Sequence, residues 1–197
     1  MDVRKHPWTV IALLLAAAMR CHASAPLEAY GHLPTLEDVV LSPDGKKLAF
    51  VHTDADARIL AVMSLADRKV LGGAKVGDSK LRGIHWADDD HLLIYTSATG
   101  MPFGLVGEDR EWDLMTVYTV SNRRMTQYPQ SLPSLRMMNV VAGRVMIRRL
   151  GNDTILYIPG YYLEEKTRPA LFKVNLTTGI ESVARQGSDY TDRKSVV

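Results

Sequence analysis

The chain has 197 residues, of which 24 are lysine or arginine and 22 are aspartate or glutamate, so its formal net charge is +2 at neutral pH. No basic stripe is present along the sequence, and this argues against nucleic-acid binding. Cys21 is the only cysteine, which excludes an intrachain disulfide and a zinc ribbon.

The first 25 residues have the three parts of a secretory signal peptide. Arg4 and Lys5 precede an uncharged apolar run over residues 8–19, which is shorter than the roughly 20 residues that a bilayer-spanning helix needs. Small residues then predict cleavage after Ala23 or after Ala25. We therefore expect an exported protein, periplasmic or secreted, with no stable membrane insertion after signal removal. The remaining chain has 21 basic and 21 acidic residues.

From residue 26 onward, short apolar and β-branched runs alternate with turn residues, a pattern typical of strands. One helical turn is expected over residues 35–40. The first strand pair joins Val39–Leu41 to Leu48–Val51 through Ser42–Gly45, because proline presets φ for a turn and glycine tolerates positive φ. Since Leu48–Val51 is apolar at every position, we predict that this strand is covered on both faces.

The same strand–turn–strand pattern returns 45 residues later, where Trp86 precedes an acidic turn, Asp88–Asp90, and an apolar strand, Leu92–Tyr95. A third, weaker copy is expected over residues 140–147, with its second strand at the end of that range. The segment 97–112 is rich in glycine and proline and is predicted to form a long loop from one repeat.

A second type of hairpin occurs three times, over residues 60–71, 117–125 and 171–183. The two hairpin types alternate along the chain. A repeat of about 40–50 residues with four short strands is the signature of a propeller blade. We therefore predict an all-β fold: a partial β-propeller with about three to four four-stranded antiparallel blades over residues 26–191, preceded by a signal-peptide helix.

The residues of the first blade resemble a known family. The segment 33–51, which contains the Ser-Pro-Asp-Gly turn, is similar to the opening of the propeller domain in prolyl-oligopeptidase-family serine peptidases, and above all to bacterial dipeptidyl-aminopeptidase and acylaminoacyl-peptidase-like members. TolB-type propellers also carry the Ser-Pro-Asp-Gly turn. The order of Lys80–Trp86, Met101–Gly104 and Pro159–Lys166 is similar to one subfamily of the peptidases.

This resemblance implies a two-domain enzyme, in which a propeller restricts entry to peptides and a C-terminal α/β-hydrolase domain carries the catalytic Ser, Asp and His. The Gly-x-Ser-x-Gly elbow of such a domain does not occur in this sequence, and Gly77–Leu81 lacks the final glycine. We therefore expect no catalytic residue here and no activity of this chain alone. Residues 192–197 are outside the blade pattern and are expected to be a non-native tail. The expected partners are the missing hydrolase domain and, in the intact parent, peptide substrates.

Two glutamates are the candidate substrate-binding residues. Dipeptidyl-peptidase members hold the free amino terminus of a substrate with paired propeller glutamates, and the resemblance extends this role to Glu164 and Glu165 through charge-assisted hydrogen bonds. The competing interpretation, which we favour, is a solvated mixed-charge connection, because Lys166 and Arg168 follow directly.

Two further segments contain residue types that are found in binding sites. Asp88–Asp90 with His85 and His91 contains metal-ligand types, but its spacing fits no calcium loop, so a blade turn is favoured and no metal or cofactor is expected. Gly72–Gly77 is similar to a phosphate-binding loop only loosely, because the Gly-Lys-Ser/Thr ending is missing, and a link between two strands is predicted.

Two alternatives to a peptidase propeller stay open. A TolB-like periplasmic propeller would act as a protein-binding module without catalysis. A chain that is not a functional product would expose unpaired strand edges and an apolar face, and it would then be poorly soluble or oligomeric.

Overall fold

The computed structural model describes residues 35–54, 57–100, 108–130, 137–163 and 167–187. All of them belong to one unit of the chain, Pro34–Val197. The predicted signal peptide at 1–25 and the predicted non-native tail at 192–197 lie outside these ranges. Within these ranges, no helix has the length and apolar character needed to cross a membrane.

The described residues form twelve strands and no helix, arranged as three four-stranded antiparallel sheets in which strand order follows chain order. The first sheet contains β1 (Leu36–Leu41), β2 (Lys47–Asp54), β3 (Ala57–Ser64) and β4 (Val70–Lys75). The second contains β5 (Lys80–Trp86), β6 (His91–Gly100), β7 (Arg110–Thr119) and β8 (Arg124–Tyr128). The third contains β9 (Met146–Leu150), β10 (Asp153–Leu163), β11 (Thr167–Asn175) and β12 (Glu181–Gln186). The predicted all-β fold of a partial propeller with four-stranded antiparallel blades is confirmed.

The first hairpin forms as its turn chemistry predicts. The β1–β2 register ends on Leu41↔Leu48, and the Gly45 amide donates to the Ser42 carbonyl at 2.9 Å. Gly45 has a φ of 71°, which a glycine adopts without steric cost. The Ser42 hydroxyl donates to the Asp44 carboxylate at 2.6 Å, and this hydrogen bond within the turn stabilises it. The predicted Ser-Pro-Asp-Gly reversal is therefore confirmed.

The core lies between the sheets and is divided by β6. Leu92 and Ile94 are fully buried in a cluster with the first sheet, which supplies Val51 and Leu60. Leu93, on the opposite face of β6, is equally buried in a second cluster with the third sheet. Because side chains alternate across a strand, one continuous apolar run serves both clusters. Each such side chain contributes about 1.5–3 kcal/mol through burial.

Strand β6 is thus covered by a neighbouring sheet on both faces. The prediction that Leu48–Val51 is also covered on both faces is confirmed for one face only. Ala49 and Val51 are fully buried against the second sheet. Leu48 and Phe50 point the other way and are only half-buried by the described residues. The prediction was wrong for that face because an apolar sequence cannot specify which strand faces have a neighbouring sheet.

The helical turn expected over residues 35–40 is wrong. These residues enter β1, where Asp38, Val39 and Val40 pair with Val51, Phe50 and Ala49 of β2. The hydrogen bonds between β1 and β2 outweigh the weak local preference of these residues for a helical turn.

The long loop expected over residues 97–112 is also wrong at both ends. Ser97–Gly100 continues β6 and pairs with Arg110–Asp113 of β7, so the hairpin extends well beyond the apolar core. The third copy expected over residues 140–147 forms only in part, because β9 begins at Met146 and Val141 makes just an isolated bridge to Asp113.

The glycines of the Gly72–Gly77 segment have a packing role. Gly72 and Gly73 lie inside β4, so most of the segment is strand and the predicted linker is wrong. A Cβ atom at Gly72 would lie 2.4 Å from the hydroxyl oxygen of Tyr118, which is fully buried in β7. Burial raises the pKa of that phenol. The missing side chain therefore lets the second sheet approach the first.

Candidate functional site

The acidic turn between β5 and β6 binds its neighbours in the propeller. The Asp44 amide of the first sheet donates to Asp89 at 2.8 Å, and the Lys47 ammonium donates to the Asp89 carbonyl at 2.9 Å. Asp90 accepts from the backbone amide and the hydroxyl of Ser121 in the β7–β8 turn, at 2.8 and 2.6 Å. These carboxylates thus join one turn to the next.

The Asp88 carboxylate stabilises the same turn by accepting hydrogen bonds within it. It accepts from the amides of Asp90 and His91 at 2.8 and 2.7 Å, and the His91 Nδ1 lies 2.9 Å from its carboxylate. Burial acts to raise the pKa of Asp88, but hydrogen bonds from His91, Thr154 and the Asp90 amide outweigh it and hold the pKa well below its usual range. Thr154 belongs to the third sheet, so the turn contacts both neighbouring sheets.

The metal interpretation of this region gains no support. His91 lines a small cavity of about 400 Å³ with the three aspartates, whereas His85 lines a different, larger cleft. Among the residues that the structure describes, no group of three or more His, Cys, Asp or Glu side chains could hold a metal ion. The favoured interpretation of Asp88–Asp90 as a blade turn is confirmed by its position between β5 and β6.

The larger cleft has a volume of about 1270 Å³ and lies between the second and third sheets. Strands β5, β6 and β7 form one wall. Strands β9, β10 and β11 form the other, together with the segment 141–145 that precedes β9. Glycine and proline residues on this wall, including Gly143 and Pro159, leave backbone close to the open space.

The first strands of the sheets explain why a cleft occurs at this place. Between the first and second sheets, β1 and β5 are joined by the Ile84 amide donating to Asp38 at 2.9 Å and by the Trp86 indole donating to the Val40 carbonyl at 3.2 Å. Between the second and third sheets, the cleft lies where β5 and β9 would make the corresponding contact. Trp86 is buried at this contact.

Three arginines line the cleft, and one of them, Arg82, forms an ion pair. The Arg82 guanidinium donates to Glu111 and, at 2.8 Å, to the Ser97 hydroxyl. Hydrogen bonds from Ser97, Lys80 and Arg82 lower the pKa of Glu111 to about 2, so this carboxylate is ionised at neutral pH. Arg144 and Arg148 are exposed on the opposite wall.

Two tyrosines and one carboxylate also line the cleft, in addition to Thr96 and His85. Tyr95 is partly buried, and burial raises the pKa of its phenol while the nearby charge of Arg144 acts to lower it. Tyr161 lies on the wall formed by the third sheet, and Asp113 lies on β7. These charged, hydroxyl and aromatic groups form an arrangement that can bind a polar ligand.

The glutamate pair identified from the sequence, Glu164 and Glu165, lies outside the described residues, between β10 and β11. The cleft residues Arg144, Arg148 and Tyr95 were not identified as functional from the sequence. They come from three separate segments and carry no shared motif, so only the packing of the second sheet against the third brings them together.

Comparison with known proteins finds similarity to this chain only among solved structures. No family model matches the chain, and no curated protein matches it. Among solved structures, an acylaminoacyl peptidase in complex with Z-Gly-Gly-Phe-chloromethyl ketone is similar over 78% of this chain, with 15% identity and a TM-score of 0.43. Orthorhombic and uncomplexed structures of Pyrococcus horikoshii acylaminoacyl peptidase are similar over the same share, each with 16% identity and with TM-scores of 0.43 and 0.44. The chain spans 25% of the length of each of these proteins.

Proposed function

We propose that this chain is the substrate-gating propeller portion of an exported serine peptidase of the prolyl-oligopeptidase family. The observation that carries the proposal is the succession of three four-stranded antiparallel sheets, each in chain order, with residues 36–51 of the family-like segment forming the first hairpin of the first sheet. This is the position that the family resemblance assigns to that motif. In this proposal the parent protein hydrolyses peptides through a C-terminal α/β-hydrolase domain.

In this proposal the propeller selects and positions the substrate, and the chemistry takes place elsewhere. A serine nucleophile, a histidine general base and an oxyanion hole of the hydrolase domain would carry out acyl transfer. The cleft of about 1270 Å³ exceeds the roughly 300–1,000 Å³ of ordinary small-molecule pockets, so it has room for a peptide segment.

The complete reading frame that encodes this chain provides the first test. We expect it to continue beyond residue 197 and to encode Gly-x-Ser-x-Gly several hundred residues later. A natural stop codon after a closed propeller would contradict the peptidase assignment. The nucleotides that encode residues 192–197 also test whether that segment is non-native.

A second test uses the purified chain and a fluorophosphonate probe, which labels activated serines. We expect no labelling and no peptide hydrolysis, since the proposed catalytic triad belongs to another domain. Labelling of this chain would overturn the proposal, whereas labelling of the full-length parent protein alone would support it.

Export is a separate part of the proposal and has its own measurement. The leader over residues 1–25 supports transfer to the periplasm or the medium. Mass spectrometry of the exported protein is expected to find a mature amino terminus at Ser24 or at Pro26. An intact amino terminus in the cytoplasmic fraction would contradict export.

The second candidate function is a TolB-like periplasmic binding module without catalysis. The observation that favours it is the cleft itself, because the described sheets alone form a cavity of about 1270 Å³ that is suited to binding. A natural stop after a closed propeller would support this candidate over the peptidase.

A further inference from the structure

The size of the cleft between the second and third sheets indicates the kind of ligand that it can hold. At about 1270 Å³ it is larger than the sites that bury drug-sized molecules, for which about 1,000 Å³ is an upper range. The segment 141–148, which ends in β9, lines one side of the cleft without interruption, so a short extended ligand can lie along it. A short segment of extended polypeptide meets both conditions.

The charge of the cleft indicates the chemistry of that segment. Arg144 and Arg148 lie on the same wall, and among the described residues neither of them forms an ion pair. Arg82 on the opposite wall is already paired with Glu111, and Asp113 is the one carboxylate in the described lining. The wall formed by the third sheet therefore carries excess positive charge and favours a carboxylate, to which arginine can donate two parallel hydrogen bonds.

A backbone edge lies beside these arginines. Strand β9 pairs with β10 on one side, and among the described residues no strand pairs with its other side. Its residues Met146, Ile147 and Arg148 line the cleft. A free strand edge presents amide and carbonyl groups to which an extended peptide can add as a further strand, and side-chain contacts then give specificity.

We propose that this cleft binds an extended peptide segment rich in carboxylates, with Arg144 and Arg148 contacting its acidic side chains and the free edge of β9 pairing with its backbone. Tyr95 and Tyr161 provide flat surfaces against the peptide. This inference deepens the proposed function, on which its physiological meaning rests, because it names the class of peptide that the propeller admits.

Fluorescence anisotropy with the purified chain tests the charge preference. The probes are three rhodamine-labelled octapeptides in which valine alternates with glutamate, glutamine or lysine. We expect the glutamate peptide to bind at least about tenfold more tightly than the glutamine peptide, with a difference that decreases as salt is added. The lysine peptide is expected to bind least. Equal binding of all three peptides would overturn the proposal.

Two arginine variants and a neighbouring control test the site. We expect Arg144→Gln and Arg148→Gln each to weaken binding of the glutamate peptide about three- to tenfold. Arg149→Gln is the matched control, because Arg149 follows Arg148 on the same strand but lines the small cavity at the acidic turn. Circular dichroism of all three variants checks that each folds like the parent chain. Equal affinities of all three variants for the glutamate peptide would show that the peptide does not bind beside Arg144 and Arg148.

N-methylation of alternate amides in the glutamate peptide tests strand addition without changing the protein. We expect one of the two methylated series to lose at least about tenfold in affinity, because it cannot donate to the edge of β9. Unchanged binding in both series would overturn the backbone part of the proposal. Stronger competition by a short RNA than by the glutamate peptide would instead identify a general polyanion surface and overturn the peptide assignment.

These results are separable from the test of the peptidase assignment. If the reading frame encodes the serine elbow but the chain shows no peptide selectivity, the proposed peptide-binding role of the cleft is rejected and the peptidase assignment stands. If the reading frame stops after a closed propeller but the chain binds the glutamate peptide selectively, the peptide-binding role of the cleft stands and the peptidase assignment is rejected.

Discussion

Asp88, Asp89 and Asp90 are adjacent in sequence, yet each carboxylate binds a different part of the propeller. Asp89 accepts from the first sheet, Asp90 accepts from the β7–β8 turn, and Asp88 accepts within its own turn while contacting Thr154 of the third sheet. Each of the three carboxylates therefore accepts hydrogen bonds that connect this turn internally or to its neighbours.

Replacing Asp88 tests how much its hydrogen bonds stabilise the fold. Asp88→Ala leaves two backbone amides and the His91 ring without this acceptor, and we expect a loss of about 1–3 kcal/mol in the free energy of unfolding. Denaturant titration measures the change. Asp109→Ala is the control, because Asp109 is exposed, and we expect it to change stability by less than about 0.5 kcal/mol. Equal losses in the two variants would contradict this role.

The lowered pKa of Asp88 predicts how this stabilisation depends on pH. A carboxyl group with a lowered pKa in the folded state stabilises the fold fully above its unfolded value of 3.8, and the stabilisation is lost as pH falls from there toward the folded value. We therefore expect the stability difference between the parent chain and Asp88→Ala to be constant near neutrality and to shrink below about pH 4. A difference that stays constant to lower pH would contradict the assignment.

A substitution at Gly72 tests whether the first and second sheets need a residue without a side chain at this contact. Gly72→Ala places a methyl group 2.4 Å from the Tyr118 hydroxyl oxygen, and we expect overpacking to cost about 1–3 kcal/mol. Gly100→Ala is the matched control, because Gly100 is also in a strand and a Cβ atom there has no neighbour within 4 Å. Thermal denaturation followed by circular dichroism compares the two variants. Equal melting temperatures would contradict the packing role of Gly72.

At the scale of single elements, β6 is the strand on which the stacking depends. Its even-numbered side chains Leu92 and Ile94 pack against the first sheet, and Leu93 packs against the third. The acidic turn that precedes β6 contacts both neighbouring sheets as well. One strand and its turn thus hold three sheets together.

Substitutions on the two faces of β6 are expected to loosen different sheets. Ile94→Ala and Leu93→Ala each remove a fully buried side chain, and we expect each to cost about 2–5 kcal/mol. Hydrogen exchange should then increase mainly in β2 and β3 for Ile94→Ala, and mainly in β10 and β11 for Leu93→Ala. Val70→Ala, at a site that is 66% exposed, is the control. The same exchange pattern in both variants would contradict the division of the core.

At the scale of the whole molecule, the described part is an open stack with two outward faces. On the first sheet, Leu48, Phe50 and Ile59 point away from the second sheet and are half-buried. The Phe50 and His52 rings lie 6.0 Å apart on the same face. In the part of the chain that the structure describes, no further sheet covers these side chains.

We expect this open face to make the purified chain self-associate, because contiguous apolar surface favours association in water. The variant Phe50→Lys with Ile59→Lys should raise the monomer fraction in size-exclusion chromatography with light scattering. Leu65→Lys is the control, since Leu65 is exposed in a turn away from the sheet face. A sharp monomer peak and cooperative melting of the unaltered chain would contradict the expectation.

Sequence patterns predicted the hairpins because their causes are local. The turn chemistry of Ser42–Gly45 and of Asp88–Asp90 is contained in a few adjacent residues, and the paired strands lie directly beside each turn. The errors have a different origin. Residues 35–40, Gly72–Gly73 and the ends of the segment 97–112 form strands because distant or neighbouring chain segments pair with them, and pairing outweighs their weak local preferences.

The sequence by itself determined an all-β repeat, its hairpins and the apolar run of β6, since strand period and turn residues act over a few positions. Only the tertiary structure decided which face of each strand meets a neighbour, which donor each aspartate of the acidic turn receives, and where the cleft lies. Arg144, Arg148 and Tyr95 line one cleft because two sheets pack together, and no local pattern encodes a contact between residues so far apart in the chain.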